Sequence, residues 1–305
     1  MTKPEQPSLG QWYGSRPRPT PDEPNHETAS PAMKIAIQGE PGSFSHEAAL
    51  KLVPDAAIVP CSLSADVFAV VAEGAVDAAV VPIENSLAGS VAEHFDLLLE
   101  HDVRVERETL LRIRHNLIAL PGAQIGAIER VFSHPIALAQ CRRYLARHAG
   151  MEACAFYDTA GSVKQLMALQ DRSAAAIASQ AAARFYGAEV LEAGIEDNAE
   201  NFTRFFLVRR AADSIADPGS NKISVAFSVE NRPGSLMAAL AGFAALGANM
   251  TKIESRPVHG KPWEYIFYTD CQVPSLDVAD RILAVLQPHC AMVKELGRYQ
   301  EAGSL

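Results

Sequence analysis

Residues 78–91 read AAVVPIENSLAGSV. Ala78–Pro82 is apolar without a break, the composition of a strand covered on both faces, as in a parallel sheet, rather than of a hairpin with one wet side. Glu84, Asn85 and Ser86 follow at once, and Ser90–Glu100 then sets Val91, Phe95 and Leu98 on one helical stripe. A buried strand that gives way to hydrogen-bonding residues ahead of a helix is the arrangement in which open α/β sheets hold ligands.

Working outward, the same texture repeats. Upstream, Lys34–Gln38 is β-prone, Gly39 and Gly42 punctuate a turn, and helices are expected near His46–Leu52 and Ala65–Gly74. Downstream, strands are expected at Val103–Glu108, Leu117–Leu120, Arg130–Phe132 and Ala174–Ala178, with helices at Ile136–His148 and Ser162–Leu169. Strands alternating with helices predict parallel sheet built from βαβ units. Asp213–Asn221 (DSIADPGSN) is turn-rich and polar, a linker. Beyond it Ile223, Val225, Phe227 and Val229 alternate, and Leu236, Leu240 and Phe243 share a helical face. Strands at Asn249–Val258 and Trp263–Val273, a helix near Asp277–Leu286 and a strand near Ala291–Leu296 complete βαββαβ, a split unit of ferredoxin type. Ahead of all this, residues 1–33 hold seven of the 19 prolines and little periodic apolar content. That composition predicts a disordered tail, and Met33 is a candidate start.

The 305 residues suit two domains, and 48% hydrophobic with 21% charged residues is ordinary for a globular chain. A net charge of −9 argues against sequence-independent nucleic-acid binding, which needs a cationic surface. Five scattered cysteines with no C-x-x-C pair give neither a disulfide framework nor a zinc ribbon, and fit a cytoplasmic chain. No apolar run approaches the roughly 18–20 residues of a membrane span. His46–Glu47 opens an H-E-x-x pattern, but position 50 is Leu where the second zinc ligand would stand. There is no G-x-S-x-G elbow, no G-x-G-x-x-G and no P-loop. His94 and His101 read as surface residues without a third ligand, so no metal is expected.

What remains is polar residues at junctions: Glu84, Asn85 and Ser86; Ser133 and Gln140 in SHPIALAQC; Thr159 in DTAGS; Thr203 and Arg204 in NFTRF. Taken singly each is a helix-capping pattern. Four on one sheet point to a cleft lined by neutral hydrogen-bonding groups and one arginine.

These blocks together resemble the prephenate dehydratase family. The likeness runs from about Lys34 to Arg298 and takes in GEPGSFSHEAA at 39–49, PIENSLAGSV, the SHP and ALAQC block, AAIASQAAA ending at Ala183, and NFTRF. ENRPGSL, TKIESRP and WEY (230–236, 251–257, 263–265) resemble the phenylalanine-binding ACT regulatory domain of that family. The resemblance implies a catalytic domain at 34–212, made of two α/β lobes like those of type II periplasmic binding proteins, and an ACT domain at 221–299. It further implies conversion of prephenate to phenylpyruvate without a cofactor, feedback by L-phenylalanine, a homodimer or homotetramer, and no membrane or nucleic-acid partner. The short stretch before the catalytic domain predicts a monofunctional chain, without the helical chorismate mutase domain fused in some relatives.

By the same resemblance Thr203 matches the threonine that assists departure of hydroxide. A neutral hydroxyl is a poor acid near pH 7, so Glu84 and His115 (in RHNL) stand as further acids. Arg204 is the expected clamp for a substrate carboxylate, since its planar fork binds carboxylate bidentately. Asn85, Ser86, Ser133, Gln140 and Thr159 would orient the substrate. Gly234, Ser235, Leu236, Asn249, Glu254, Ser255, Arg256 and Pro257 would hold phenylalanine across a subunit interface. Many relatives read G-A-L-V where Gly234–Met237 reads GSLM, which adds a hydroxyl to that pocket. Arogenate dehydratase, and a non-catalytic amino-acid sensor, are the alternatives.

Overall fold

The computed structural model describes residues 32–303 apart from 259 and 262. The expected loose tail, residues 1–33, therefore falls outside the described residues except for its last two. Of these, Met33 packs on the core beside Phe44 and Leu52.

The first lobe runs β1 (Lys34–Gln38), α1 (Phe44–Leu52), β2 (Ala57–Cys61), α2 (Ser64–Ala72), β3 (Ala78–Asn85), β4 (Gly89–Ser90), α3 (Ala92–Glu100) and β5 (Val103–Arg112). The second runs β6 (Asn116–Ala119), β7 (Arg130–Ser133), α4 (Pro135–Gln140), α5 (Arg142–Arg147), β8 (Glu152–Ala155), α6 (Thr159–Leu169), β9 (Ala174–Ala178), α7 (Gln180–Tyr186) and β10 (Glu189–Ala193). The chain then returns to the first lobe as β11 (Phe202–Arg210). The lobe sheets are ordered β2-β1-β3-β11-β5 and β8-β7-β9-β6-β10. In each, three parallel strands meet one antiparallel strand beside the third. This is the two-lobed arrangement of type II periplasmic binding proteins, with the cleft between lobes crossed at 113–115 and again at 194–201.

The apolar run at 78–81 is explained by its packing. Ala78 and Val80 enter the core under α1 with Ile35, Ile37 and Phe205, while Ala79 and Val81 enter the core under α2 and α3 with Phe68, Phe95 and Leu98. Both faces are dry, and each buried valine contributes about 1.5–3 kcal/mol. The strand does not stop at Pro82 but continues through Asn85 into a short hairpin with β4. NFTRF, read as a junction, instead opens the nine-residue β11. Besides β4 and β11, three strands escaped the sequence reading: β2, which carries Pro60, and the short outer strands β8 and β10.

The helix expected over Ile136–His148 is broken at Cys141 (φ −119°, ψ 22°). Asp197 occupies the break: its N–H donates to the Gln140 carbonyl at 2.7 Å, and its carboxylate accepts the Arg143 N–H at 2.9 Å.

The C-terminal module is β12 (Lys222–Ser228), α8 (Ser235–Ala245), β13 (Asn249–Pro257), β14 (Tyr265–Gln272), α9 (Leu276–Leu286) and β15 (Met292–Gln300), in sheet order β13-β14-β12-β15. This is the ferredoxin-like βαββαβ expected from the sequence. Unexpectedly, β15 also pairs in parallel with β5, so this sheet and that of the first lobe are one. The junction requires glycine: a Cβ on Gly297 would lie 2.2 Å from the Val105 carbonyl oxygen. Three strands separate β14 from β11 in the sheet, yet Asp270 meets Arg204. The sheet therefore curls the module over one face of β11.

Candidate active site

Strands β3 and β11 build the floor of the site. Their antiparallel register pairs Phe205 with Pro82 but Arg204 with Glu84 and Thr203 with Asn85, so Ile83 is a one-residue bulge. A bulge reverses the facing of everything beyond it. Thr203 and Asn85 consequently line a cleft of ≈ 930 Å³ between the lobes, while Arg204 and Glu84 leave from the opposite face.

The cleft carries a continuous chain of neutral hydrogen bonds. Asn85 Nδ2 donates to Thr203 Oγ1 (2.9 Å) and to Asn201 Oδ1 (2.7 Å). Asn85 Oδ1 accepts the N–H groups of Leu87 and Ala88, which fixes the amide orientation. Asn201, wholly buried, donates from Nδ2 to Gln140 Oε1 at 3.0 Å. His115 Nε2 lies 2.8 Å from the same oxygen. An amide oxygen only accepts, so His115 carries its proton on Nε2 and leaves Nδ1 as a buried lone pair without a partner among the described residues. Burial pushes His115 below its ordinary 6.5, outweighing Gln140 and Glu196, which favour the proton. The imidazole is neutral at neutral pH.

Because Thr203 Oγ1 already accepts from Asn85, its own proton is free to be donated into the cleft. Both lone pairs of Gln140 Oε1 are engaged, which leaves its amide N–H groups for a ligand. Thr159 lines the same cleft as the first residue of α6, whose N-cap is Asp158. Thr203, Asn85, Gln140, His115 and Thr159 are thus gathered in one place.

Four expected residues are not. Arg204 is no clamp: its guanidinium is bound to Glu108 (2.6 Å), Asp270 and Tyr299 (2.9 Å) and stacks on Phe206. Strand neighbours point to opposite faces, so Thr203 and Arg204 cannot share a cleft. Glu84 pairs with Lys252 of β13 at 3.0 Å. Ser133 is buried and donates to the Ile177 carbonyl. Ser86 donates to the Glu200 carbonyl and accepts the Phe202 N–H, fastening the return into β11.

The sequence reading missed Asn201, although it stands first in NFTRF, and also missed a group at the cleft rim. Glu40, from the loop after β1, is bound by Lys164 Nζ at 3.0 Å to each oxygen and by the Tyr157 hydroxyl at 3.0 Å. His94, read as a surface residue, is buried, with Nδ1 on the Pro82 carbonyl and Nε2 on Ser64.

The expected phenylalanine-binding residues divide in four. Gly234 and Ser235 line a ≈ 430 Å³ cavity at the start of α8, while Leu236 packs on the module core. On β13, Asn249, Ser255 and Pro257 face outward, whereas Glu254 and Arg256 face the first lobe. Glu254 takes the Ser90 hydroxyl and Lys252, and Arg256 grips Asp96 with two bonds of 3.0 and 2.6 Å. A single chain does not bring these eight residues together.

Residues 35–213 match the family described as Prephenate dehydratase. An Arabidopsis thaliana protein named arogenate dehydratase/prephenate dehydratase 2, chloroplastic, is 39% identical over 280 residues, covering 88% of this chain and 72% of its own. A crystal structure of prephenate dehydratase from Arthrobacter aurescens in complex with L-Phe is 33% identical with a TM-score of 0.80, covering 88% of this chain and 90% of its own. A structure titled GqqA, a novel type of quorum quenching acylase, is 32% identical with the same TM-score, 0.80, and covers 88% and 98%.

Proposed function

Because the chain belongs to the prephenate dehydratase family, we propose that it expels carbon dioxide and hydroxide from prephenate to give phenylpyruvate. The observation that carries this reading is the pairing of Thr203 with Asn85 at the floor of the cleft. In the reaction the bond to the ring carboxylate breaks, its electron pair enters the ring, and the ring hydroxyl leaves with the electron pair of its own C–O bond. The ring becomes aromatic, so the enzyme has only to orient the substrate and stabilise the departing oxygen. Thr203, its proton free, donates to that oxygen, and the amide of Asn85 holds Thr203 in place. Gln140 N–H and Thr159 orient the remainder. His115 Nδ1, neutral and unpartnered, accepts a hydrogen bond and does not act as the acid.

Arogenate is the second reading, since the Arabidopsis relative is named for both substrates. The Asp158 carboxylate in the cleft favours it, because arogenate carries an ammonium that this carboxylate could receive. An acylase reading has no such support: acyl transfer needs a nucleophile beside a base, and Thr203 Oγ1 has an amide donor as its neighbour.

For the C-terminal module we propose regulation by phenylalanine bound at an interface between two copies in a cytoplasmic homo-oligomer. Support comes from the outer strand β13, with Asn249, Ser255 and Pro257 turned outward beside exposed Ile253, and from exposed Met237 on α8. A second copy would supply what one chain leaves apart. The test is direct: follow phenylpyruvate and phenylalanine formation from prephenate and arogenate, with and without added phenylalanine. Product from neither substrate would leave the amino-acid sensor standing.

A further inference from the structure

Prephenate and arogenate each bring two carboxylates into a chain of net charge −9, yet the arginine expected to meet one of them is sealed behind the floor. Among the described residues that line the cleft, Lys164 is the only lysine or arginine. It stands on α6 of the second lobe, reaches across the rim to Glu40 of the first, and binds both oxygens of that carboxylate at 3.0 Å. Tyr157, also from the second lobe, adds a hydroxyl at 3.0 Å. An ammonium and a phenol thus converge on a carboxylate at the edge of a cleft meant for carboxylates.

Magnitudes separate the two cations. The Lys164 side chain is 55% exposed, and a pair of that kind is worth only about 0–1 kcal/mol. Arg204 and its acidic partners are 11% and 3% exposed, and removing one member of a buried pair costs about 3–5 kcal/mol. A ligand can therefore take the place of Glu40 on Lys164 at little expense, but cannot take the place of Glu108 or Asp270 on Arg204. Tyr157 is the donor to Glu40, since burial and Glu40 push its hydroxyl up to about 12.

We propose that Lys164, with the Tyr157 hydroxyl, is the anchor for a substrate carboxylate, and that Glu40 is an internal stand-in which the substrate displaces. This rests on the dehydratase reading given above. The exchange breaks no covalent bond. It moves Glu40 to solvent and puts the substrate's carboxylate on the same two donors.

The test is steady-state kinetics with prephenate and with arogenate on the wild type, Lys164→Ala, Lys164→Arg and Glu40→Gln. The anchor predicts that Lys164→Ala raises KM about tenfold or more, with most of the effect in KM, since a charge-assisted bond is lost. Lys164→Arg recovers part of that loss. Glu40→Gln has the opposite sign and lowers KM, because the competing anion is gone. An unchanged KM in Lys164→Ala overturns the anchor. So does a rise in KM in both Lys164→Ala and Glu40→Gln, which is what a clasp between the lobes would give. A wild type inactive on both substrates would instead overturn the dehydratase reading, and the anchor with it.

Discussion

Thr203 and Asn85 stand directly opposite each other on β11 and β3, and the Asn85 amide donates to the Thr203 hydroxyl at 2.9 Å. The hydroxyl is thereby an acceptor toward the protein and a donor toward the cleft. Thr203→Ala is expected to lower kcat by about 10²-fold or more and to move KM little, while Thr203→Ser keeps most of the activity. Asn85→Ala follows Thr203→Ala, and the double variant is little worse than either, which a double-mutant cycle on kcat would read.

Asn201 touches no substrate in this arrangement but joins Asn85 to Gln140. Asn201→Ala removes two buried side-chain hydrogen bonds, one to each of these amides, a loss of about 1–3 kcal/mol in stability. Its kcat falls as well, because Asn85 can then turn away from Thr203. Denaturant titration and kinetics on the same preparation check both.

Arg204 is expected to govern folding rather than affinity. Arg204→Met leaves the buried Asp270 carboxylate without its cation, while Glu108 keeps Lys222, a loss of about 3–5 kcal/mol. The molecules that remain folded should show a near-normal KM. A large rise in KM at unchanged stability would return Arg204 to the role of clamp.

Acid should weaken the fold through the buried histidines. Burial holds His94 and His115 below their ordinary 6.5, so the unfolded chain takes up protons before the folded one does. Their contribution is complete above about pH 6.5 and is lost as pH falls from there toward the depressed folded-state values. Denaturation midpoints between pH 5 and 7.5 should fall on acidification, less steeply in His94→Gln. A flat profile would contradict the burial of these rings.

Gly297→Ala should separate β15 from β5, since its Cβ meets backbone rather than a movable side chain. A destabilisation of about 1–3 kcal/mol is expected in thermal or chemical unfolding.

Much of this architecture was legible because its signals are local. The dry run at 78–82, the alanine-rich β9 and the alternation at 223–229 announce strands from composition alone, and the βαββαβ order followed. The site was half legible, for a reason that lies in the period of a strand. Alternation from Pro82 would carry Glu84 into the cleft and Asn85 out of it, but the bulge at Ile83 exchanges them, and nothing in PIENS marks a bulge. Thr203 and Arg204, adjacent in NFTRF, were expected in one cleft although neighbours on a strand face opposite ways. The β15–β5 pairing and the Glu40–Lys164 contact join distant segments, and no local pattern records either.

The pairing of β15 with β5 has a practical consequence for anyone cutting the chain in two. Along part of its length β5 has β15 as its only partner on that side among the described residues, so the first two lobes expressed alone would present bare amides and carbonyls there. Such a margin is a template for pairing with other chains, and the expected product is aggregate rather than a deregulated enzyme. Insensitivity to an effector is better sought by point substitution within the intact polypeptide than by truncation.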